Sequence, residues 1–316
     1  IANFNPRLVI LFDQAESALY DLQWDLHEAF PELNYEIVIG DVTHKMRVVN
    51  LIKSFKPQII FHAAAYKHVP LMELNPSEAV KTNVLGTKIL ADMSSEFNVE
   101  KFIFISTDKA VNPTNVMGAT KRAAEIYVQH KNSISSTQYI TTRFGNVLGS
   151  NGSVIPLFQK QIENGGPITI TDRRINRFFM SIPEACQLVL EAGTMGKGGE
   201  IYVFDMGDSV KIIDLAKKMI TLSGLTINKD IEIKITGLRP GEKLYEELLA
   251  NEENTIPTHH EKILIAKTSV KKDMGHKIDE LIDLIDGQKN NQLVLILKNL
   301  IPEYVSKNSE FEELDK

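Results

Sequence analysis

Gln58-Ile-Ile-Phe61 opens a strand–helix–strand unit that runs through a helical pattern at 78–97 to Lys101-Phe-Ile-Phe-Ile105. Unbroken apolar runs of this length are typical of strands that are buried on both faces of a parallel sheet. A helix between two such strands indicates a crossover connection, which joins parallel neighbours. This stretch therefore predicts an α/β fold in which helices cover both faces of a parallel sheet.

The same alternation continues on both sides of this unit. Strands are predicted at 7–12, 35–39, 139–143, 201–204 and 231–235, and helices at 16–30, 44–55, 115–129, 183–192 and 212–223. Glycine-rich turns break the pattern after Gly145. We therefore predict a Rossmann-like, doubly wound domain at 1–146 and a smaller α/β substrate domain at 147–270 that is interleaved with it. A helical tail at 271–316 is expected to end charged and frayed.

Composition excludes several classes of protein. The 316 residues carry 35 lysines and arginines against 41 aspartates and glutamates, a net charge of −6, which argues against a general nucleic-acid-binding protein. No apolar run approaches the roughly 20 residues that span a bilayer, so no membrane contact is expected from these residues. Cys186 is the one cysteine, which fits a reducing compartment. We predict a cytoplasmic protein, or the cytoplasmic domain of a membrane-anchored parent.

Small or acidic residues follow three of the predicted strands, where an open parallel sheet binds its ligands. They are Asp13, then Asp41 and Val42, then Ala63, Ala64 and Ala65. A carboxylate at the position of Asp13 suits the ribose hydroxyls of NAD, one at Asp41 suits the adenine amine, and the alanines allow close approach. Each residue alone is more often part of a turn or a helix cap. Together they predict an NAD site.

The glycine-rich turn that seats a pyrophosphate after the first strand of such folds is absent. Asp13 stands where a second strand would end. We therefore expect that the first βα unit of the fold is missing ahead of Ile1, and that these residues alone bind NAD weakly.

The densest polar motif is Ser106-Thr-Asp-Lys109, which follows a strand and continues through Met117 and Lys121 into a helix. Here the sequence resembles the extended short-chain dehydrogenase/reductases that act on nucleotide sugars. More narrowly, it resembles the Met-containing, membrane-anchored UDP-N-acetylglucosamine 4,6-dehydratases of bacterial polysaccharide and glycan synthesis. The matching segments are 62–70, 82–83, 106–121, 143–146 and 239–243, and the resemblance covers about residues 1–265.

The resemblance implies that NAD and a UDP-sugar react in three stages. The sugar is oxidised at C4, Lys109 removes the C5 proton while Asp108 protonates the departing C6 hydroxyl, and hydride returns to C6. Thr107 would hydrogen-bond the C4 oxygen, and Lys121 and Asn83 would bind the cofactor. A lysine acts as a base at neutral pH only if its pKa is lowered.

Met117 stands where the wider family has a tyrosine base, four residues before Lys121 on the same helix face. Methionine carries no titratable proton, and a missing general base is worth about 10²–10⁴ in rate. We infer that Asp108 takes over the C4 hydroxyl proton.

The resemblance also implies residues that anchor the UDP-sugar. The predicted set is Lys67, His68, Asn146, Ser153, Thr169, Thr171, Arg177, Arg239 and Glu242. The two arginines suit a pyrophosphate because the guanidinium fork matches phosphate oxygens. Glu242 is expected to cap a turn or to pair with an arginine. No metal site is predicted, because His259-His260 has no third ligand at useful spacing.

Two other functions stay open. A C4 epimerase on the same fold needs no acid–base pair for elimination, and a non-catalytic regulator could bind NAD or a sugar nucleotide without turnover. Asp108 and Lys109 together with Met117 favour the dehydratase. The helices at 78–97 and 115–129 correspond to those that commonly form a dimer interface in such enzymes, and a homodimer or higher homo-oligomer is expected.

Overall fold

The computed structural model describes residues 1–247, 255–267 and 274–315. The strands are β1 (Val9–Asp13), β2 (Tyr35–Ile39), β3 (Ile59–His62), β4 (Lys101–Ile105), β5 (Gln138–Arg143), β6 (Asn146–Val147), β7 (Ile168–Ile170), β8 (Asn176–Arg177), β9 (Phe179–Met180), β10 (Ile201–Phe204), β11 (Val210–Lys211), β12 (Ile233–Ile235), β13 (Thr255–Pro257) and β14 (Ile263–Ala266). The helices are α1 (Glu16–Ala29), α2 (Lys45–Phe55), α3 (Val69–Leu74), α4 (Pro76–Val80), α5 (Thr87–Glu96), α6 (Val116–Ile134), α7 (Val154–Glu163), α8 (Ile182–Met195), α9 (Ile212–Leu222), α10 (Gly275–Asp283) and α11 (Asn290–Leu300).

A six-stranded sheet in the order β13-β14-β10-β5-β4-β3 forms the centre of the molecule. The pairs β3–β4, β4–β5 and β5–β10 are parallel, whereas β14 and β13 run antiparallel. Side chains alternate between the faces of β4, so Phe102 and Phe104 join one hydrophobic cluster and Ile103 joins another. The predicted parallel sheet with helices on both faces is confirmed.

Strands β1 and β2 form a separate parallel pair. The strand predicted at 7–12 is present at Val9–Asp13, but it is only half-buried, unlike β4. Within the described residues β1 pairs with β2 alone and β3 with β4 alone, which leaves one edge of each strand unpaired. Ile10 and Phe12 still pack on the same cluster as the central sheet.

The long helix predicted at 78–97 is divided in three. It begins earlier, at Pro76, and a π-helical turn at Lys81–Gly86 lies between α4 and α5. Asn83 within that turn is fully buried, and its amide bonds the backbone of Tyr66 and the hydroxyl of Thr120. A widened turn of this kind is often found where a helix carries a functional side chain.

The expectation of a frayed C-terminal end is wrong for residues 301–315. Tyr304, Ser306 and Phe311 are buried, and the backbone N–H groups of Val305 and Lys307 donate to the carbonyls of Pro113 and Thr114. The apolar side chains hold this segment against the main core, so its charged residues do not release it. Residues 271–273 and 316 of the predicted tail lie outside the described residues.

Helices α10 and α11 pack against α6, on the surface where sequence predicted a dimer interface. Leu293, Leu297 and Ile278 are fully buried there by the same chain. Contacts within one chain therefore cover part of α6, and the oligomeric state stays a prediction. In the part of the chain that the structure describes, no helix has the length and hydropathy of a membrane span.

Candidate active site at the carboxyl end of β4

The Thr107–Lys109 segment is held at the end of the central strand. Backbone N–H groups of Ser106 and Asp108 donate to the carbonyls of Thr142 and Phe144, which continues the β4–β5 pairing beyond the strands. A 3₁₀ turn then begins at Asp108. The turn directs Asp108 and Lys109 to the edge of the sheet where ligands bind in this class of fold.

Asp108 is enclosed on almost all sides, with a side chain that is 2% exposed. Its Oδ1 accepts from the hydroxyl of Thr107 at 2.8 Å and from Lys109 Nζ at 3.0 Å. Its Oδ2 is buried and has no hydrogen-bond partner among the described residues. A Cβ on Gly145 would lie 3.1 Å from Oδ2, so a side chain at position 145 would crowd this oxygen. One oxygen of Asp108 therefore carries no hydrogen bond within the described residues.

Lys109 lies among three acceptors. Its Nζ is 3.0 Å from Asp108 Oδ1, 3.2 Å from Glu246 Oε1 and 3.3 Å from Asn146 Oδ1. Burial alone would lower the pKa of Lys109, but the charges of Asp108 and Glu246 outweigh burial, so the pKa is raised. A base at neutral pH needs a lowered pKa, whereas the pKa of Lys109 is raised by these contacts, and its role as the base stays a prediction.

Lys121 is in a different environment on α6. Its Nζ donates to the carbonyl of Ile105 at 2.7 Å and lies 4.1 Å from the ring centroid of Phe104. Burial lowers the pKa of Lys121 to about 7, and the charge of Glu125 opposes only part of that shift. Met117, one turn earlier, is buried within the hydrophobic cluster.

The amino end of α6 is held by groups that sequence reasoning missed. The buried carboxylate of Glu73 accepts from the N–H of Val116 at 2.6 Å and from the hydroxyl of Ser309, while Asn115 caps Gly118. Further along α6, the buried Glu125 bonds Ser106, Arg122 and Arg143. Single acidic residues in a helix give no sequence signal for such contacts, because burial by distant segments creates them.

Glu246 was also missed. It follows the Arg239-Pro-Gly-Glu-Lys243 turn, where Glu246 and Glu247 are adjacent. The side chain of Glu246 is 3% exposed, whereas that of Glu247 is 48% exposed. An acid after this turn is a weak signal in the sequence, and only the folded chain shows which of the two enters the site.

The predicted cofactor residues lie at the carboxyl ends of β1, β2 and β3. Asp13 is exposed and its Oδ1 accepts from the N–H of Ala15 at 2.8 Å; its Oδ2 has no bond in the described structure. Asp41 instead closes a turn on the N–H of Thr43, and Val42 is buried against Gly86. Ala63, Ala64 and Ala65 directly follow β3. Asn83 is engaged with the protein, and its cofactor contact stays a prediction.

Several predicted substrate residues come together beside this edge. The ring of His68 lies against Gly152, next to Ser153, whose hydroxyl is buried without a bond to any described residue. Burial lowers the pKa of His68, and the charges of Lys67 and Arg239 lower it further, so these two cations lie near the ring. Such a cluster of donors and cations fits an anionic ligand.

The remaining predicted substrate residues have contacts within the protein. Arg177 is buried, and its guanidinium donates to three backbone carbonyls, of Asn176, Lys243 and Leu244, and lies 3.3 Å from Glu246. Glu242 pairs with Arg239, as expected. Thr169 bonds Gln161, and Thr171, just beyond β7, is half-buried. The roles of these residues toward a substrate stay predictions.

The fold and site define a Rossmann-type α/β protein with polar side chains at the carboxyl edge of its sheet. The model of the polysaccharide biosynthesis protein family matches residues 1–268, and the chain belongs to this family.

Several named proteins are similar in sequence to this chain. The capsular polysaccharide biosynthesis protein CapD of Staphylococcus aureus is 48% identical over 92% of this chain and 49% of its own length. The inverting UDP-N-acetylglucosamine 4,6-dehydratase of Campylobacter jejuni strain NCTC 11168 is 34% identical over 92% of this chain and 84% of its own. The UDP-glucose 4-epimerase of Rickettsia canadensis is 39% identical over 73% and 67%. The chain spans about half the length of the more identical relatives.

Solved structures agree on the fold. Pen from Bacillus thuringiensis has a TM-score of 0.77 and is 33% identical over 91% of both chains. A dTDP-glucose 4,6-dehydratase from Streptomyces venezuelae, solved with NAD bound, has a TM-score of 0.67 at 21% identity and covers 76% of this chain and 78% of its own. The predicted Rossmann-like fold is thereby confirmed.

Proposed function

We propose that this protein dehydrates a UDP-sugar in an NAD-dependent reaction, and that UDP-N-acetylglucosamine is the substrate. The product would be a 4-keto-6-deoxy sugar nucleotide for surface polysaccharide or glycan synthesis. The observation that carries this proposal is the contact of Asp108 with Lys109 just beyond β4, whose last carbonyl, that of Ile105, accepts from Lys121. The naming of a family member as a UDP-N-acetylglucosamine 4,6-dehydratase supports it.

The residues at the sheet edge fit NAD. Asp13 offers an exposed carboxylate oxygen to ribose hydroxyls, the three alanines after β3 leave room for close approach, and Lys121 offers its amino group at the end of β4. When bound, NAD supplies the group that accepts hydride from the sugar and returns it. Solved neighbours that contain NAD support this assignment.

Asp108 and Lys109 divide the proton transfers in this proposal. Lys109 removes the C5 proton once its ammonium proton has been released to solvent. Asp108, which has taken the C4 hydroxyl proton, donates that proton to the C6 oxygen as water leaves, and Lys109 then returns its proton to C5. The unpartnered Oδ2 of Asp108 is the atom available for that donation. Thr107, whose hydroxyl already bonds Asp108, would hydrogen-bond the C4 oxygen.

Anchoring of the substrate would use the cations beside His68. Lys67 and Arg239 face the pyrophosphate in this proposal, with Ser153 as a neutral donor at the start of α7. Arginine suits this task because its donors form a planar fork. Arg177, which is held by carbonyls and Glu246, would join only if ligand binding freed it.

Proton NMR in deuterated water tests the proposal. The protein is incubated with UDP-N-acetylglucosamine and saturating NAD, and formation of a 4-keto-6-deoxy sugar with deuterium at C5 is expected. Asp108→Asn should not eliminate water, and because Asp108 also accepts the C4 hydroxyl proton in this proposal, the substitution should slow C4 oxidation as well. Full dehydration by Asp108→Asn would overturn the assigned roles, and no conversion by the unaltered protein would overturn the function.

A C4 epimerase is the second candidate, because a family member named UDP-glucose 4-epimerase is 39% identical over 234 residues. Epimerisation would give a C4-inverted sugar that keeps its C6 hydroxyl. Binding of NAD or of the nucleotide sugar without turnover would instead indicate a regulator. The same NMR experiment distinguishes the three outcomes.

A further inference from the structure

Glu246 occupies the space between two catalytic-site cations. Its Oε1 lies 3.2 Å from Lys109 Nζ and 3.3 Å from Arg177 Nε, and its side chain is 3% exposed. It reaches this place from the segment that follows the Arg239–Lys243 turn, far along the chain from Lys109. An acid that is this buried is retained only when its charge is paired, and here two cations pair with it.

The geometry around Lys109 shows what Glu246 does to that amino group. An ammonium has three N–H donors. The three acceptors within reach are Asp108 Oδ1, Glu246 Oε1 and Asn146 Oδ1. The amino group is therefore satisfied as an ammonium, and in that form it has no lone pair with which to accept a proton.

We propose that Glu246 is a positioning residue that orients the amino group of Lys109 and governs when that group can accept a proton. This inference rests on the proposed function, in which Lys109 is the base. Glu246 need not touch the substrate, because it acts through its contact with Nζ. Displacement of its carboxylate from Nζ, or loss of its charge, would leave Asp108 as the one carboxylate on Lys109.

The charges that face Lys109 come from three places. Asp108 lies on the same 3₁₀ turn, Glu246 follows the Arg239–Lys243 turn, and Arg177 lies on β8. Lys243 acts on Glu246 and keeps its pKa low together with the two cations already named. Removal of the Glu246 charge takes one carboxylate from Lys109 and leaves Arg177 with its 4.0 Å contact to Glu242, so the pKa of Lys109 should fall.

The pH dependence of kcat/KM tests this role, because it reports the pKa values of groups in the free enzyme. Glu246→Gln keeps the shape of the side chain and removes its charge. The acidic limb of the profile for dehydration should move to lower pH by about 1–3 units. Glu246→Asp, which keeps a charge, should leave the limb near its original position even if kcat falls. Glu247→Gln is the matched control and should leave the profile unchanged.

A substrate-free measurement separates this inference from the proposed function. Competitive acetylation of Lys109, followed by mass spectrometry across pH, reports its titration in the ligand-free protein. Glu246→Gln should become reactive at a lower pH than the unaltered protein, and Glu247→Gln should not. The role of Glu246 would be overturned if Glu246→Gln lowered kcat/KM equally at every pH and left the acidic limb in place. It would also be overturned if a folded Glu246→Gln protein showed the acetylation profile of the unaltered protein. No turnover together with a shifted acetylation profile would overturn the proposed function alone.

Discussion

Lys109 and Lys121 are two buried lysines beside the end of β4, and their pKa values shift in opposite directions. Lys109 lies against two carboxylates, which outweigh burial. Lys121 lies against a carbonyl and an aromatic ring, and burial decides its pKa of about 7. Desolvation acts on both in the same sense, so the difference comes from the carboxylates at 3.0–3.2 Å from Lys109.

The opposite pKa shifts of Lys109 and Lys121 suit the two amino groups to different work in the site. An amino group with a pKa near 7 can change its charge at neutral pH, whereas one that is held between carboxylates stays an ammonium until its surroundings change. The charge of Lys121 can therefore change near neutral pH in the contacts that the structure shows. Lys109 needs a change in its carboxylate contacts before it can act as a base.

The largest expected effect is on turnover. Lys109→Met should reduce dehydration by about 10²–10⁴, the usual value of a general base, while C4 oxidation continues. Lys121→Met should instead weaken NAD binding. Product formation by NMR and NAD affinity by calorimetry measure the two effects, with the exposed Lys45→Met as a control. If each variant lost product formation and NAD affinity to the same extent, the assignment of different roles to Lys109 and Lys121 would be contradicted.

The next effect concerns the carboxylate nearest to Lys121. Glu125 is fully buried and is held by Arg143 and Arg122. Glu125→Gln leaves Arg143 without its charged partner, whereas Arg122 keeps its pair with Glu303. Loss of one member of a buried pair costs about 3–5 kcal/mol. Urea unfolding at pH 7 measures this change in the free energy of unfolding, with a substitution of the exposed Glu28, Glu28→Gln, as reference. A loss below about 1 kcal/mol, typical of surface pairs, would show that solvent reaches this cluster.

Lys121→Met should also change how stability depends on pH. Between pH 7 and 10.5 the unfolded chain binds more protons at Lys121 than the folded chain, so the stability of the unaltered protein rises with pH. Methionine removes this dependence, and the variant should gain relative to the unaltered protein as pH falls from 10.5 to 7. The gain is about 1.4 kcal/mol per pH unit at most. Parallel unfolding curves for the two proteins would show that Lys121 titrates normally.

The smallest effect is expected at Glu73, a buried acid whose charged form is disfavoured by burial as that of Lys121 is. Burial raises the pKa of Glu73, against hydrogen bonds from Ser309 and from the N–H of Val116. Ser309→Ala removes one of these bonds and should lower the free energy of unfolding by about 1–2 kcal/mol. Ser309→Thr keeps the hydroxyl and should recover most of the loss. Thermal unfolding measures both, and an unchanged Ser309→Ala would mean that the C-terminal segment does not support α6.

Sequence patterns predicted β3, β4, β5 and β10 of the central sheet, because burial leaves an unbroken apolar run in such strands, but they did not predict β13 and β14. They also predicted that Asp13, Ala63 and Asp108 follow strands, since strand ends can be identified from the same runs. They could not predict the buried position of Glu246 or Glu73. From the local sequence alone a glutamate is predicted to be a solvated surface charge, because its burial depends on segments that are distant in the chain.

The amino-acid sequence by itself determined the alternation of strands and helices, the order of polar residues at strand ends, and the presence of a methionine, without a titratable proton, at position 117. Only the tertiary structure decided the electrostatics of the site. Segments around 109, 177 and 246 meet in space although they are far apart in the chain, and charge interactions depend on distance and burial. For that reason the same residue type has a raised pKa at position 109 and a lowered one at position 121.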